Sequence, residues 1–325
     1  MFLQRRNRIL RTNAAIRSLV AETNVSANDF LVPLFIVEGT YVKEQIPSMP
    51  GYYRMSLENT VLHVKHLYSI GARAVLLFIK CADTEKDNTG AAALRVDGLM
   101  QKSIKAIKEA VPEILVFTDV ALDPYSIYGH DGIVTNGLIN NDATVAVLAA
   151  MAVSHAIAGA DFVAPSDMMD GRVAAIRRAL ENHQQHHVGI MSYSAKYASC
   201  WYGPFRDALD SAPGFGDKKT YQMNPANRIE ALKETFMDIQ EGADIVMIKP
   251  ALSYLDIIRD IKNKVNVPVA AYQVSGEYAM IKAAAAQGWV DEQAAMIESL
   301  LSIKRAGTDI IATYYAETYL KLLQA

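Results

Sequence analysis

Apolar positions along the chain follow two periods. Short, β-branched runs of four to eight residues alternate with longer stretches in which apolar residues recur every three or four positions. The first pattern suits strands buried on both faces, the second amphipathic helices. A shared punctuation joins them. Gly71-Ala72-Arg73 precedes the run 74–79, and Gly159-Ala160-Asp161 precedes 162–165. Gly242-Ala243-Asp244 precedes 245–248, and Gly307-Thr308-Asp309 precedes 310–313. Each glycine follows a helical period, where a left-handed terminal residue stops the helix. The runs 31–37, 114–119, 188–193 and 267–274 complete a series of eight strands alternating with helices. That order predicts a (β/α)8 barrel over residues 29–325, with residues 1–28 as an N-terminal arm and lead-in. A doubly wound open sheet is the alternative, but no G-x-G-x-x-G follows the first run, so its dinucleotide-binding form lacks the fingerprint. Two long loops, from Asp119 to about Leu138 and from about Ala198 to Met223, read as functional lids.

Composition narrows the class. The 325 residues are 51% hydrophobic, enough for a large core, and the net charge is only −3. That balance gives no footprint for nucleic acid or an anionic membrane. No apolar run approaches the roughly 20 residues of a membrane span. Cys81 and Cys200 lie far apart and fit a reducing, cytoplasmic setting. Residues 1–11 are arginine-rich without a continuous apolar segment, which predicts a solvated arm packed on a partner subunit rather than a signal peptide. His183 and His187 have helical i, i+4 spacing, but their polar surroundings predict a solvated loop.

The chemistry gathers at the strand ends, where barrels of this kind carry their active sites. Those ends present Asp119, Ser166-Asp167, Lys196, Lys249, Ser275 and Tyr314-Tyr315. Two lysines close apolar runs: Met191-Ser192-Tyr193-Ser194-Ala195-Lys196 and Val246-Met247-Ile248-Lys249. Burial and a neighbouring cation both lower an ammonium pKa, which makes the amine nucleophilic toward a ketone. One such lysine is more often a solvated strand terminus. Two on adjacent strands reverse that balance and suggest two carbonyl substrates.

The run from Met191 to Lys196, continuing Tyr197-Ala198-Ser199-Cys200-Trp201-Tyr202-Gly203-Pro204-Phe205-Arg206-Asp207, resembles the porphobilinogen synthases (5-aminolevulinate dehydratases). So do Met247-Ile248-Lys249-Pro250 and Tyr272-Gln273-Val274-Ser275-Gly276-Glu277-Tyr278, and the similarity extends from the arm to the C-terminus. The resemblance implies a lyase of haem and chlorophyll biosynthesis that joins two 5-aminolevulinate molecules with loss of two waters. It implies a Schiff base on Lys249 with the first substrate and on Lys196 with the second. It places Ser275 and Tyr314 on the first substrate's carboxylate, and Arg206 and Lys218 on the second's. Asp119, Asp123 and Ser126 would also face substrate. The family usually has arginine where Lys218 stands; lysine keeps the charge and loses the bidentate fork.

The same resemblance identifies Asp119-Val120-Ala121-Leu122-Asp123 through Asp131 as the family's active-site metal loop. Zinc-dependent members carry three cysteines where this chain has Ala121, Asp123 and Asp131. A three-cysteine zinc site is therefore excluded here, and carboxylates suit magnesium or no tight metal. Asp119, Asp123 and Asp131 could recognise the substrate amino group, with Mg2+ or a monovalent cation at Asp131, or they could cap turns. His130 stays open between ligand, general base and loop hydrogen bonder. Glu234 matches a glutamate near the family's activating, allosteric Mg2+, or is an exposed helix residue beside Lys233. Magnesium keeps several waters, so one carboxylate could suffice. The basic arm, including Arg11, would pack near it in a homo-octamer built from arm-exchanging dimers. A one-lysine Schiff-base aldolase and a catalytically silent binding barrel are the competing readings.

Overall fold

The computed structural model describes residues 4–324; the arm residues Met1–Leu3 and the terminal Ala325 lie outside the described residues. Eight parallel strands close into a barrel: β1 (Phe30–Val37), β2 (Ala74–Lys80), β3 (Leu115–Val120), β4 (Phe162–Pro165), β5 (Gly189–Lys196), β6 (Ile245–Lys249), β7 (Val269–Gln273) and β8 (Ile310–Thr313). Closure comes from β1 pairing β8, with Phe30 opposite Ile311 and Leu31 opposite Ala312. All eight predicted runs are these strands. The fifth reaches Lys196, three residues past its apolar stretch, because the backbone of Lys196 is still paired.

The helices are α1 (Ala14–Leu19) in the arm, then α2 (Leu57–Ser69), α3 (Leu99–Ala110), α4 (Asn141–Ala158), α5 (Arg172–Asn182) and α6 (Gly203–Leu209). They continue with α7 (Ile229–Glu241), α8 (Leu255–Lys262), α9 (Ser275–Ala286), α10 (Glu292–Ala306) and α11 (Ala316–Gln324). The four punctuating glycines all take left-handed backbone, with φ from 107° to 115°. The aspartate after three of them has a further use. Asp161, Asp244 and Asp309 accept from the backbone N–H of Val116, Ile190 and Val269 at 2.7, 2.7 and 2.8 Å. Each ties its strand to the start of a neighbour at the barrel floor, where such residues serve stability.

Strand residues of both faces are buried, as the near-continuous apolar runs required. α4 is the one described helix long and apolar enough to cross a membrane by length and composition; half of that window is buried inside the protein. The arm instead leaves apolar side chains in the open: Ile9, Leu10 and Leu19 are 60%, 51% and 80% exposed.

Both long loops carry structure that the sequence pattern did not show. The first ends in a two-residue antiparallel pairing, Val134–Thr135 with Leu138–Ile139. The second contains α6, begun at Gly203-Pro204 where proline suits a first helical turn. A third addition is the short pairing of Lys43–Gln45 with Tyr53–Met55 after β1. From it, buried Arg54 donates to the carbonyls of Asp207 and Ala208, both at 3.1 Å. The Arg54 cation thus holds the negative end of α6.

Candidate active site

Lys196 and Lys249 are direct cross-strand partners at the C-terminal ends of β5 and β6. A bulge makes them so. Val246 faces Ser192 but Ile248 faces Ala195, so β5 spends one extra residue before its lysine. The backbone around both is pinned. The Lys196 carbonyl accepts from Met223 N at 3.0 Å, and the Lys249 carbonyl from Tyr197 N at 3.0 Å and the Tyr202 hydroxyl at 3.2 Å.

The two amines meet different surroundings. Lys249 Nζ lies over four rings, with centroids of Phe205, Tyr272, Tyr202 and Tyr193 at 4.6, 4.8, 5.1 and 5.3 Å. It makes no side-chain hydrogen bond or ion pair among the described residues. Burial, and then the Lys196 cation, pull its pKa down to about 7 against the opposing aspartates. That raises the neutral fraction at pH 7 from about one in three thousand to about one half. Lys196 Nζ instead donates to Asp131 Oδ2 at 3.0 Å and to the Ser166 carbonyl.

Three aspartates divide into two kinds. Asp119, near the end of β3, has one buried oxygen without a partner. Burial and then the Asp123 charge push its carboxyl up to about 7, while the Ser166 hydroxyl and both lysines oppose. Asp131 is fully buried, and burial alone would raise it. Lys196 and Lys218 outweigh that and hold it at about 2. Lys218 Nζ stands 2.5 Å from Asp131 Oδ1 and 3.3 Å from Asp123 Oδ2. Lys218 therefore points at the aspartate loop in this structure, whereas Arg206, half-buried on α6, makes no ion pair among the described residues.

The remaining predicted residues also sit at the mouth. Ser275 opens α9, fully buried, and its hydroxyl accepts from Phe205 N at 2.9 Å. The Tyr314 hydroxyl lies 2.8 Å from that of Tyr272. Ser126 is buried and accepts from Tyr128 N at 3.1 Å. His130 is a loop hydrogen bonder: its ring meets the Tyr221 hydroxyl at 3.0 Å and the Phe215 carbonyl at 3.1 Å. Those contacts dock the lid segment 210–223 onto the aspartate loop, together with Gly214 N donating to the Tyr128 carbonyl at 2.9 Å. The approach is close enough that a Cβ on Gly129 would run into the Ala212 carbonyl.

Two features of the site had no sequence signal. One is the four-ring cage. The other is Arg172, the first residue of α5 and 3% exposed. Its guanidinium meets Asp238 at 3.1 Å, the Ser192 hydroxyl at 3.1 Å and the Tyr193 carbonyl at 3.3 Å, bracing β5 just before Lys196.

Glu234 lies apart, half-buried on α7 in a cleft of about 880 Å3 shared with Asp170, Asn224, Asn227 and Glu230. Burial raises its carboxyl, Asp238, Asp170 and Glu230 add to that, and Arg172 opposes. No group of three or more His, Cys, Asp or Glu side chains among the described residues is arranged to hold a metal directly. The carboxylate and amide oxygens of Asp170, Asn224, Asn227, Glu230 and Glu234 on its wall suit a magnesium ion held largely through water.

Residues 4–322 match the family model described as delta-aminolevulinic acid dehydratase. A delta-aminolevulinic acid dehydratase of Halalkalibacterium halodurans is 50% identical over 313 residues, covering 96% of this chain and 95% of that protein. A chloroplastic one from Physcomitrium patens is 54% identical over 314 residues, covering 96% and 72%. The crystal structure of the Toxoplasma gondii ME49 enzyme, in complex with the reaction product porphobilinogen, superposes with a TM-score of 0.96 at 48% identity, covering 98% of this chain and 92% of that one.

Proposed function

The chain belongs to the delta-aminolevulinic acid dehydratase family, the porphobilinogen synthases, and from that premise we propose how its residues divide the work of a lyase in tetrapyrrole biosynthesis. Two molecules of 5-aminolevulinate condense to porphobilinogen with loss of two waters. Each water carries away a ketone oxygen when a lysine amine forms an imine. The lysines return to free amines as the product's own C–C and C–N bonds replace those imines.

Lys249 takes the first substrate. Its caged, half-neutral amine attacks the ketone, and the imine so formed acidifies the adjacent carbon. Asp119, with an unpartnered oxygen and a pKa near 7, is suited to accept or return that proton. Ser275 and Tyr314 hold the first carboxylate. Lys196 takes the second substrate, and Arg206 on the lid meets the second carboxylate. Holding both ketones on neighbouring strands turns a bimolecular step into a local one.

The observation that carries this reading is the register of Lys196 with Lys249 beneath one lid. Borohydride reduction in the presence of 5-aminolevulinate, followed by peptide mapping, tests it. The first adduct is expected on Lys249, with Lys196 modified at higher substrate. Absence of any Lys249 adduct would sink the assignment.

Magnesium belongs, on this reading, in the Glu234 cleft as an activator rather than a participant in the chemistry. There it would neutralise an acidic pocket on α7 and favour assembly. The exposed apolar arm supports exchange between dimers and, through them, an octamer. Glu234→Gln is expected to lose Mg2+ activation and to remain a smaller assembly by light scattering. A variant activated and assembled by Mg2+ like the parent would contradict both assignments.

A further inference from the structure

The family resemblance allows Mg2+ or a monovalent ion at Asp131 in the aspartate loop, and the side chains there do not fit one. Both Asp131 oxygens are committed, Oδ1 to Lys218 at 2.5 Å and Oδ2 to Lys196 at 3.0 Å. The nearer Asp123 oxygen also lies on Lys218, at 3.3 Å. Exposure of these side chains is 0% for Asp131, 10% for Asp123, 6% for Lys218 and 8% for Lys196. Two buried carboxylates thus face two buried ammonium groups. A further divalent ion would leave that pocket strongly positive beside Lys249, at a large desolvation cost.

We infer that the Lys218 ammonium is itself the cation of the Asp123–Asp131 pair, so that the chain fills with its own side chain a position open to a free ion. Lysine suits this where arginine would not: its compact charge fits between two carboxylates, whereas a guanidinium spreads its charge over a planar fork. The placement also gives the lid a reason to close. Lys218 lies in the segment docked through Phe215, Tyr221 and Gly214, and its ion pairs bind that segment to the floor of the site. Second-substrate recognition is then asymmetric. Arg206 is the cation left to meet a carboxylate, and Asp131 is shared by Lys218 and the Lys196 amine.

The inference does not depend on the Schiff-base assignments, because it is read from metal binding without turnover. Mn2+ serves as the probe, its bound equivalents counted by electron paramagnetic resonance on the full-length protein. Lys218→Met is expected to gain one Mn2+ per chain over the parent, and the double variant Lys218→Met/Asp131→Asn to lose it again. Asp131→Asn in the parent background gives an independent arm: its Mn2+ count should equal the parent's. A parent site that Asp131→Asn abolishes would overturn the inference. So would a folded Lys218→Met variant that gains no site.

Discussion

Replacing Lys249 by methionine is expected to lower porphobilinogen formation by on the order of 10⁴-fold or more, the scale of losing a covalent nucleophile. Methionine should keep the fold, because an unbranched thioether fills the cage of Phe205, Tyr272, Tyr202 and Tyr193 and is favoured beside rings. Lys196 cannot stand in: its Nζ is tied to Asp131 and to the Ser166 carbonyl and approaches from the neighbouring strand. Retention of more than about 1% of parental turnover would show that another amine carries the first substrate. The pH profile gives a second check with a definite sign. The protonated amine is inactive, and the folded pKa is about 7. Parental kcat/KM should therefore be fully developed above about pH 8 and fall as pH drops through 7, toward ten-fold per unit. Asp119, pushed up to about 7, titrates in the same range, so the limb reports the two groups together. Residual turnover in Lys249→Met should keep only the part of the limb that Asp119 contributes.

The barrel was legible because its signals are local. A glycine at 71, 159, 242 and 307 must adopt positive φ, and a short apolar run must follow it, whatever the rest of the chain does. The lysines were legible for the same reason, each closing such a run. Their register was not. It depends on one extra residue in β5, and nothing in Ser192-Tyr193-Ser194 distinguishes a bulged strand from a regular one. The cage around Lys249 draws on β5, α6, its preceding turn and β7, so it exists only after closure. Arg54 and Arg172 were invisible because a buried arginine reads like an exposed one until its carboxylates and carbonyls are placed. Lys218 shows the limit of analogy. Resemblance points it at a substrate carboxylate, whereas the folded chain offers it two nearer ones.

The largest stability effect should come from Arg172. It opens α5, where a cation opposes the helix dipole, so its placement reflects its partners. It satisfies both Asp238 oxygens, at 3.1 and 3.3 Å, and lies 3.7 Å from Asp167 Oδ2, a buried oxygen with no hydrogen bond. Arg172→Met removes the one cation that, among the described residues, contacts these two buried carboxylates, while leaving a chain of similar length. Breaking such a pair from one side costs about 3–5 kcal/mol. The urea midpoint at fixed protein concentration should fall accordingly, and Arg172→Met/Asp238→Asn should recover part of the loss. Asp167 sets the pH dependence. Burial already pushes it up to about 6 despite Arg172, and without the guanidinium it should rise further. A raised carboxyl favours the folded state as pH falls through its folded value. The deficit of Arg172→Met should thus be greatest above pH 6 and shrink in acid. A deficit under about 1 kcal/mol, constant across that range, would mean that Asp238 and Asp167 are neutralised by other groups. β5 would then not depend on Arg172 to hold the strand that presents Lys196.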